Sequence, residues 1–388
     1  MMLRPKCVSR KIIKVFPTIV VVIFLFLGLL FWNIESINGA KLGLTFCSEI
    51  LIPSTFPFMV LSAFIVKSGL SLKMSSAIAP LTKVLFGLPG CTGATILIGL
   101  VGGYPAGAKG IKALVDKGEI SQAQAAKMLY FIVGAGPAFA ISVVGSGLLR
   151  DYKIGLFLFI SQIVSSILMG IILKFYKENH ENLPTKPIKT DTNGNDISNS
   201  LIESCADSTS ATLSMCSLVV LFYSTWEIIK NTTLESSAVD FFTAIGFSEN
   251  ISKSILPVLL EVTIGCRDCI NFGVSHYLLA FALGWAGICV HFQIYTFMGG
   301  IKFSKIKFMI WRMLHGGLSV VIFSLILSIF PISVAVSQSN YEKVPVNAYS
   351  FTSGSLALIL LCACFLSTLT PQTINSDKIK NNDLNTSA

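Results

Sequence analysis

Two stretches decide how this chain is read: Thr92–Gly110, TGATILIGLVGGYPAGAKG, and Ser254–Asn271, SILPVLLEVTIGCRDCIN. Each is apolar, each is close to the length of a membrane-crossing helix, and each is interrupted. Gly102, Gly103 and Pro105 break the first; Pro257, Gly265 and the charges of Glu261, Arg267 and Asp268 break the second. Irregular backbone at membrane depth survives only where protein or a water-filled cavity surrounds it. Both stretches are therefore read as re-entrant, broken-helix hairpins rather than as plain spans.

The rest of the chain agrees with a bilayer setting. Of 388 residues, 53% are hydrophobic and 13% charged, with a mean hydropathy of +0.73. A soluble domain carries about 25% charged residues, so this chain cannot cover a water-soluble globule. The composition excludes an ordinary cytosolic enzyme, a disordered protein and a small disulfide scaffold. Apolar runs of spanning length occur at Val15–Trp32, Gly43–Val66, Met128–Leu149, Ile154–Lys174, Glu203–Ile229, His276–Met298, Met309–Val336 and Ser355–Thr370. At about 20 residues each they match the hydrocarbon thickness. The first follows Arg4, Lys6, Arg10, Lys11 and Lys14 and reads as an uncleaved signal anchor. Ala77–Leu88 is too short to span and reads as a connecting or interfacial helix. The expectation is an all-α polytopic membrane protein with about eight transmembrane helices and two hairpins. Its parts are an N-terminal anchor (1–42), a first repeat (43–176), a polar cytoplasmic linker (177–200), a second repeat (201–336), and a last helix with a polar tail (337–388).

Charge supplies the sidedness. The net charge is +9, which is read as a topology signal rather than as a nucleic-acid footprint. With cytoplasmic termini and hairpins that return to the side they entered from, 22 of the 29 basic residues fall on the cytoplasmic side. Lys41, Arg150, Lys153, Lys230, Lys253, Arg267 and Lys343 fall on the other. Such a split is strongly positive-inside. In this topology each half runs span, hairpin, span, span, and the two halves have opposite orientation. That is the inverted-repeat plan of secondary transporters, whose discontinuous helices meet near the bilayer midplane.

The chemistry-bearing residues are few. Glu261 lies in LLEVTIG, a setting where a carboxylate is expensive and an ionisable residue is a functional hypothesis by default. Arg267 and Asp268 follow, and an ion pair there would offset its burial; the alternative is an inert structural pair at the hairpin tip. Thr263 and Gly265 share its segment. In GGYPAGAKG, Gly102, Gly103 and Gly107 allow close approach, and Pro105 breaks the helical ladder beside Tyr104. A half-helix starting there would aim free N–H groups into a cavity, with Lys109 adding positive charge, an arrangement that suits an anion. The alternative is a glycine-lined packing crossing. Gly136-Pro137 is a second break, read as unwound backbone at the site or as a simple kink. His291 and Gln293 in WAGICVHFQ sit inside a span, where a histidine is either a satisfied buried side chain or a relay. Glu49, Glu203 and Asp207 are further acids near or within spans. Cys266 and Cys269 form a CxxC with nothing to complete a zinc site or a redox fold. Phosphate-loop, zincin and nucleophile-elbow motifs are missing, so the reading includes no enzyme, cofactor or metal.

The runs PSTFPFMVLSAFIVKSGL and LTKVLFGLPGCTGATILIGLVGGYPAGAK, with EVTIG and WAGICVHFQ in the second half, resemble the YlbJ-type sporulation integral membrane proteins of spore-forming Firmicutes. These carry nucleoside-recognition (Gate) domains, as do spore maturation proteins A and B, and Gate domains are similar to parts of concentrative nucleoside transporters. The resemblance covers roughly residues 40–330 and is most specific in Gly103–Lys109. It implies two Gate-like repeats in a bacterial cell membrane and a part in moving dipicolinate across the outer forespore membrane. The partners it implies are a small anionic or nucleoside-like substrate and the lipid bilayer. Gly136-Pro137 stands where an Asn-Pro pair is expected, and Ala286-Gly287 where Gly-Gly is expected, which bears on the polar part of the site. The competing reading is a non-transporting scaffold of the sporulation machinery.

Overall fold

The computed structural model describes residue 23, residues 26–176 and residues 197–331. Most of the expected anchor run Val15–Trp32, nearly all of the linker, the end of the second repeat, the run Ser355–Thr370 and the polar tail lie outside the described residues.

Every regular element among the described residues is helical. In the first half these are α1 (Asn33–Phe46), α2 (Ile52–Lys67), α3 (Leu70–Phe86), α4 (Gly93–Val101), α5 (Tyr104–Asp116), α6 (Gln122–Ile132), α7 (Ala138–Leu149, wound as a π-helix) and α8 (Tyr152–Lys174). In the second half they are α9 (Ile197–Lys230), α10 (Thr233–Ala244), α11 (Glu249–Leu260), α12 (Val262–Asn271), α13 (His276–Trp285), α14 (Gly287–Phe297) and α15 (Lys305–Ile329). The starts follow from local chemistry. Ser121 and Gln124 exchange hydrogen bonds in a capping box at α6, Asp151 accepts from Lys153 N and Ile154 N at α8, and Ser304 accepts from Lys307 N at α15.

Among the described residues four helices are long and apolar enough to cross a membrane, or six if each of two bent pairs counts as one. The four are α8, α9, α13 with α14, and α15. One bent pair is α1 with α2, turned by 55° around a π-helical stretch at Cys47–Leu51. The other joins α3 to α4 at 102°, so the short helix expected at Ala77–Leu88 belongs to an element that leads into the first hairpin. The expected span Met128–Leu149 is divided into two helices at the Gly136-Pro137 break. Val133 leaves helical geometry and Pro137 starts α7, because proline supplies no N–H to continue the ladder.

Both interrupted segments fold back on themselves. In α4–α5, Gly99 and Gly107 face each other so closely that a Cβ on Gly99 would lie 3.1 Å from the Gly107 Cα. One turn on, Gly110 meets Thr95. The residue numbers ascend on one arm and descend on the other, as an antiparallel hairpin requires. In α11–α12 a Cβ on Gly265 would sit 2.5 Å from the Val258 Cα, which sets Glu261 at the tip. Each tip then crosses a broken helix of its own half. A Cβ on Gly136, between α6 and α7, would lie 3.0 Å from the Gly103 nitrogen. A Cβ on Gly287, between α13 and α14, would lie 2.9 Å from the Glu261 Cα. Only glycine permits backbones to cross this closely, and Gly103 and Gly287 also hold φ of +85° and +74°.

α6 and α13 are the centre of the main core; nearly every residue from Ala125 to Ala135 is solvent-free, as are Leu279, Ala280, Ala282 and Leu283. Outside them α1 packs on α9 through small residues, with Gly39 against the Tyr223 carbonyl and Gly43 against Val220, the close approach on which membrane helices depend. Three buried or half-buried hydroxyls of α9 bond within the helix. Ser204, Thr209 and Thr212 each donate to the carbonyl four residues back.

Ala286 holds φ of +75°, a region that disfavours any residue with a Cβ. Ala286→Gly is expected to stabilise the protein by about 1 kcal/mol or slightly less, once the added freedom of the unfolded chain is subtracted. Thermal unfolding in detergent checks this, and a lowered midpoint would show that the methyl group's packing outweighs the backbone strain.

Candidate functional site

The helix breaks converge on one cavity. Its walls come from the tip of the first hairpin, the α6–α7 break, the tip of the second hairpin and one face of α14. Gly102, Gly103, Tyr104 and Pro105 line it from the first half, with Gly136 and Pro137 beside them. Glu261, Thr263 and Gln293 line it from the second half. The open volume, taken at water centres, is about 50 Å³. That is room for roughly three to five water molecules.

Glu261 is the polar focus. It is 2% exposed and forms the N-cap of α12. Its Oε2 accepts from Thr263 N at 2.8 Å and Ile264 N at 2.9 Å, and also from the Thr263 hydroxyl. The Thr263 hydroxyl in turn pairs with the Tyr223 hydroxyl of α9 at 2.7 Å. These donors and the helix N-terminus offset the burial of the carboxylate. All three bonds use one oxygen. Oε1 has no hydrogen bond among the described residues, which leaves one oxygen of this cavity-lining carboxylate free. The ion pair expected to offset its burial lies elsewhere. Arg267 pairs with its neighbour Asp268 at 3.1 Å, about 9 Å further along the helix at 1.5 Å per residue.

Four of the residues read as substrate-binding sit away from the cavity. Lys109 donates from Nζ to the Asp207 carbonyl of α9 at 2.6 Å, and Asp207 and Glu203 themselves pair with Lys67 at 2.8 and 3.2 Å. These contacts tie α2, α5 and α9 together at one end. Gly107 and Gly265 are hairpin packing positions. His291 bonds the Gly287 carbonyl through Nδ1 at 2.6 Å and lies among Trp285, Tyr295 and Phe308. Glu49 is exposed on the π-helical stretch. Cys266 and Cys269 are buried and unbridged, and no cluster of metal-ligating side chains occurs among the described residues.

Sequence reasoning missed two groups. The first is the apolar wall from α1, α2 and α9, including Phe46, Phe58, Met215 and Val219. On those helices polar and apolar residues are not segregated to separate faces, so periodicity gives no inward face. The second is Arg312, counted with a cytoplasmic flank but fully buried. Its Nη1 donates to the Val133 carbonyl and its Nη2 to the Gly284 carbonyl. Near it the Tyr104 hydroxyl donates to the Leu283 carbonyl at 2.7 Å. The signal was its place a third of the way into a 25-residue apolar helix.

The cavity therefore presents the Glu261 carboxylate, the hydroxyl-bearing Thr55, Tyr104 and Thr263, the Gln293 amide and apolar walls, together with the N-terminal ends of α5, α7 and α12. Among the described residues no lysine or arginine side chain lines it. Backbone N–H groups and helix dipoles supply its positive character. Thr263→Val, which keeps the shape and removes the hydroxyl, leaves Tyr223 and Glu261 each one bond short. It is expected to destabilise the protein by about 1–3 kcal/mol, with Thr263→Ser close to the parent. Equal unfolding midpoints for Val and Ser would show that the hydroxyl bridge contributes nothing.

No family model and no solved structure matches this chain. Among curated proteins it is similar to the sporulation integral membrane protein YlbJ of Bacillus subtilis (strain 168). The two are 22% identical over 305 residues, covering 72% of this chain and 75% of the relative. The resemblance read from the hairpin motifs thus extends across most of both proteins, and the chain is similar to the YlbJ-type sporulation integral membrane proteins.

Proposed function

We propose that this membrane protein carries a small anionic solute, dipicolinate or a nucleoside-like molecule, across the bacterial membrane during sporulation. The observation that supports it best is the meeting of two hairpin tips, one from each half of the chain, at a single cavity with a free carboxylate oxygen. Both halves also share an element order of hairpin, broken helix and long helix, as α4 to α8 and α11 to α15. In this reading the halves are inverted, Gate-like repeats with both termini cytoplasmic, and rocking one against the other exposes the cavity to each side in turn. The N-termini of α5 and α7 receive the anionic group. The N-terminus of α12 is already filled by the carboxylate of Glu261, which serves as a coupling or gating group and not as a catalyst. The small volume is that of a closed form.

The small volume equally favours the second reading, in which the same helices form a scaffold and the hairpin tips serve packing alone. Purified protein in liposomes with labelled dipicolinate separates the two. Protein-dependent flux is expected, and its absence in both directions, with and without proton and sodium gradients, supports the scaffold. Glu261→Gln retains an acceptor for the α12 N–H groups but removes the charge. It is expected to insert normally and lose flux by about 10²-fold or more, the scale for an interaction used only in the rate-limiting step. Unchanged flux would remove Glu261 from the mechanism.

A further inference from the structure

The two unwound breaks leave carbonyl oxygens as well as N–H groups inside the protein. A helix that stops in an apolar core has last-turn carbonyls without intrahelical partners and carries partial negative charge at that end. α6 stops at Ile132 and α13 at Trp285. They belong to different halves of the chain, and each leads across a glycine crossing into a helix that lines the cavity. Arg312 reaches both. One guanidinium nitrogen donates to the Val133 carbonyl, just past the end of α6, and another to the Gly284 carbonyl in the last turn of α13. The side chain is fully buried, and its Nε has no partner among the described residues. Among the described residues no carboxylate pairs with it.

A buried guanidinium without a carboxylate is costly unless something else supplies negative potential. Here two helix C-termini do so. The planar fork of arginine is suited to the task because it presents separate donors at fixed spacing, which the compact ammonium of lysine does not. We infer that Arg312 is a positioning residue that links the two helix breaks. By holding the ends of α6 and α13 in one fork, it couples the wall at Gly136–Phe139 to the wall at Val290 and Gln293. Its place outside the cavity means that it acts through the backbone and touches no solute. Tyr104 is a natural control, since its hydroxyl holds only the α13 side, at the Leu283 carbonyl.

This inference rests on the carrier reading for its transport consequence, but its structural core is testable without transport. Amide hydrogen exchange on the full-length protein in nanodiscs follows the last turns of α6 (residues 128–133) and α13 (residues 281–286). Arg312→Lys keeps the charge and loses the fork. It is expected to speed exchange in both segments by about tenfold or more, with α1, α2 and α9 unchanged. Tyr104→Phe is expected to speed exchange only in residues 281–286. Acceleration at one break or neither in Arg312→Lys overturns the link, whether or not the protein transports anything. In liposomes, where the parent carries solute, Arg312→Lys is expected to lower maximal flux about tenfold while the half-saturating concentration stays within about twofold. A raised half-saturating concentration at full maximal flux would place Arg312 in binding and overturn the coupling role. An inactive parent with Arg312-dependent exchange would overturn the carrier reading alone.

Discussion

Four helices end inside the apolar interior, and the polar groups at those ends must find partners within the protein. In a bilayer no water replaces a lost backbone hydrogen bond, and each unmet group costs several kcal/mol. That constraint explains the placement of the two most deeply buried charges described above. The acid, Glu261, sits at a helix start, where N–H groups are free. The base, Arg312, sits at two helix ends, where carbonyls are free. Each charge has the sign that its helix terminus favours.

The same constraint links architecture to function. Breaks of this kind weaken helices, and a protein of continuous spans would not contain them. Here they come in matched pairs, a hairpin tip against a broken helix in each half, with glycine at every crossing. The result is a small cavity with exposed helix N-termini and one unused carboxylate oxygen. Polar chemistry has been gathered at the centre of an apolar protein, and the carrier reading rests on that concentration.

Much of this was legible in the residues. Gly102, Gly103, Pro105, Pro137 and Glu261 mark three of the chain's departures from helical regularity, and the hairpin fold follows from interrupted apolar runs. The departure at Ala286-Gly287 was visible as a sequence oddity, and the structure explains it as a left-handed turn at the second crossing. Lys109 and His291 were read toward the cavity because their segments are. Which side of a short helix faces inward is decided by packing, and Lys109 turns to the Asp207 carbonyl while His291 turns to an aromatic cluster. Arg312 escaped notice because lysines at 302, 305 and 307 precede it, and a charge run at a helix start reads as a solvated flank.

The sequence by itself determined the environment, the helical class, the two hairpins and the isolation of Glu261. These depend on composition and on local breaks, which act over a few residues. Only the tertiary structure decided that the breaks from both halves meet, that α1, α2 and α9 wall the cavity, and that Arg312 spans two helix ends. Those facts depend on contacts between residues as far apart as Val133 and Arg312. No local pattern encodes such pairings, because helices without a distinct apolar face leave their facing to the packing of the whole.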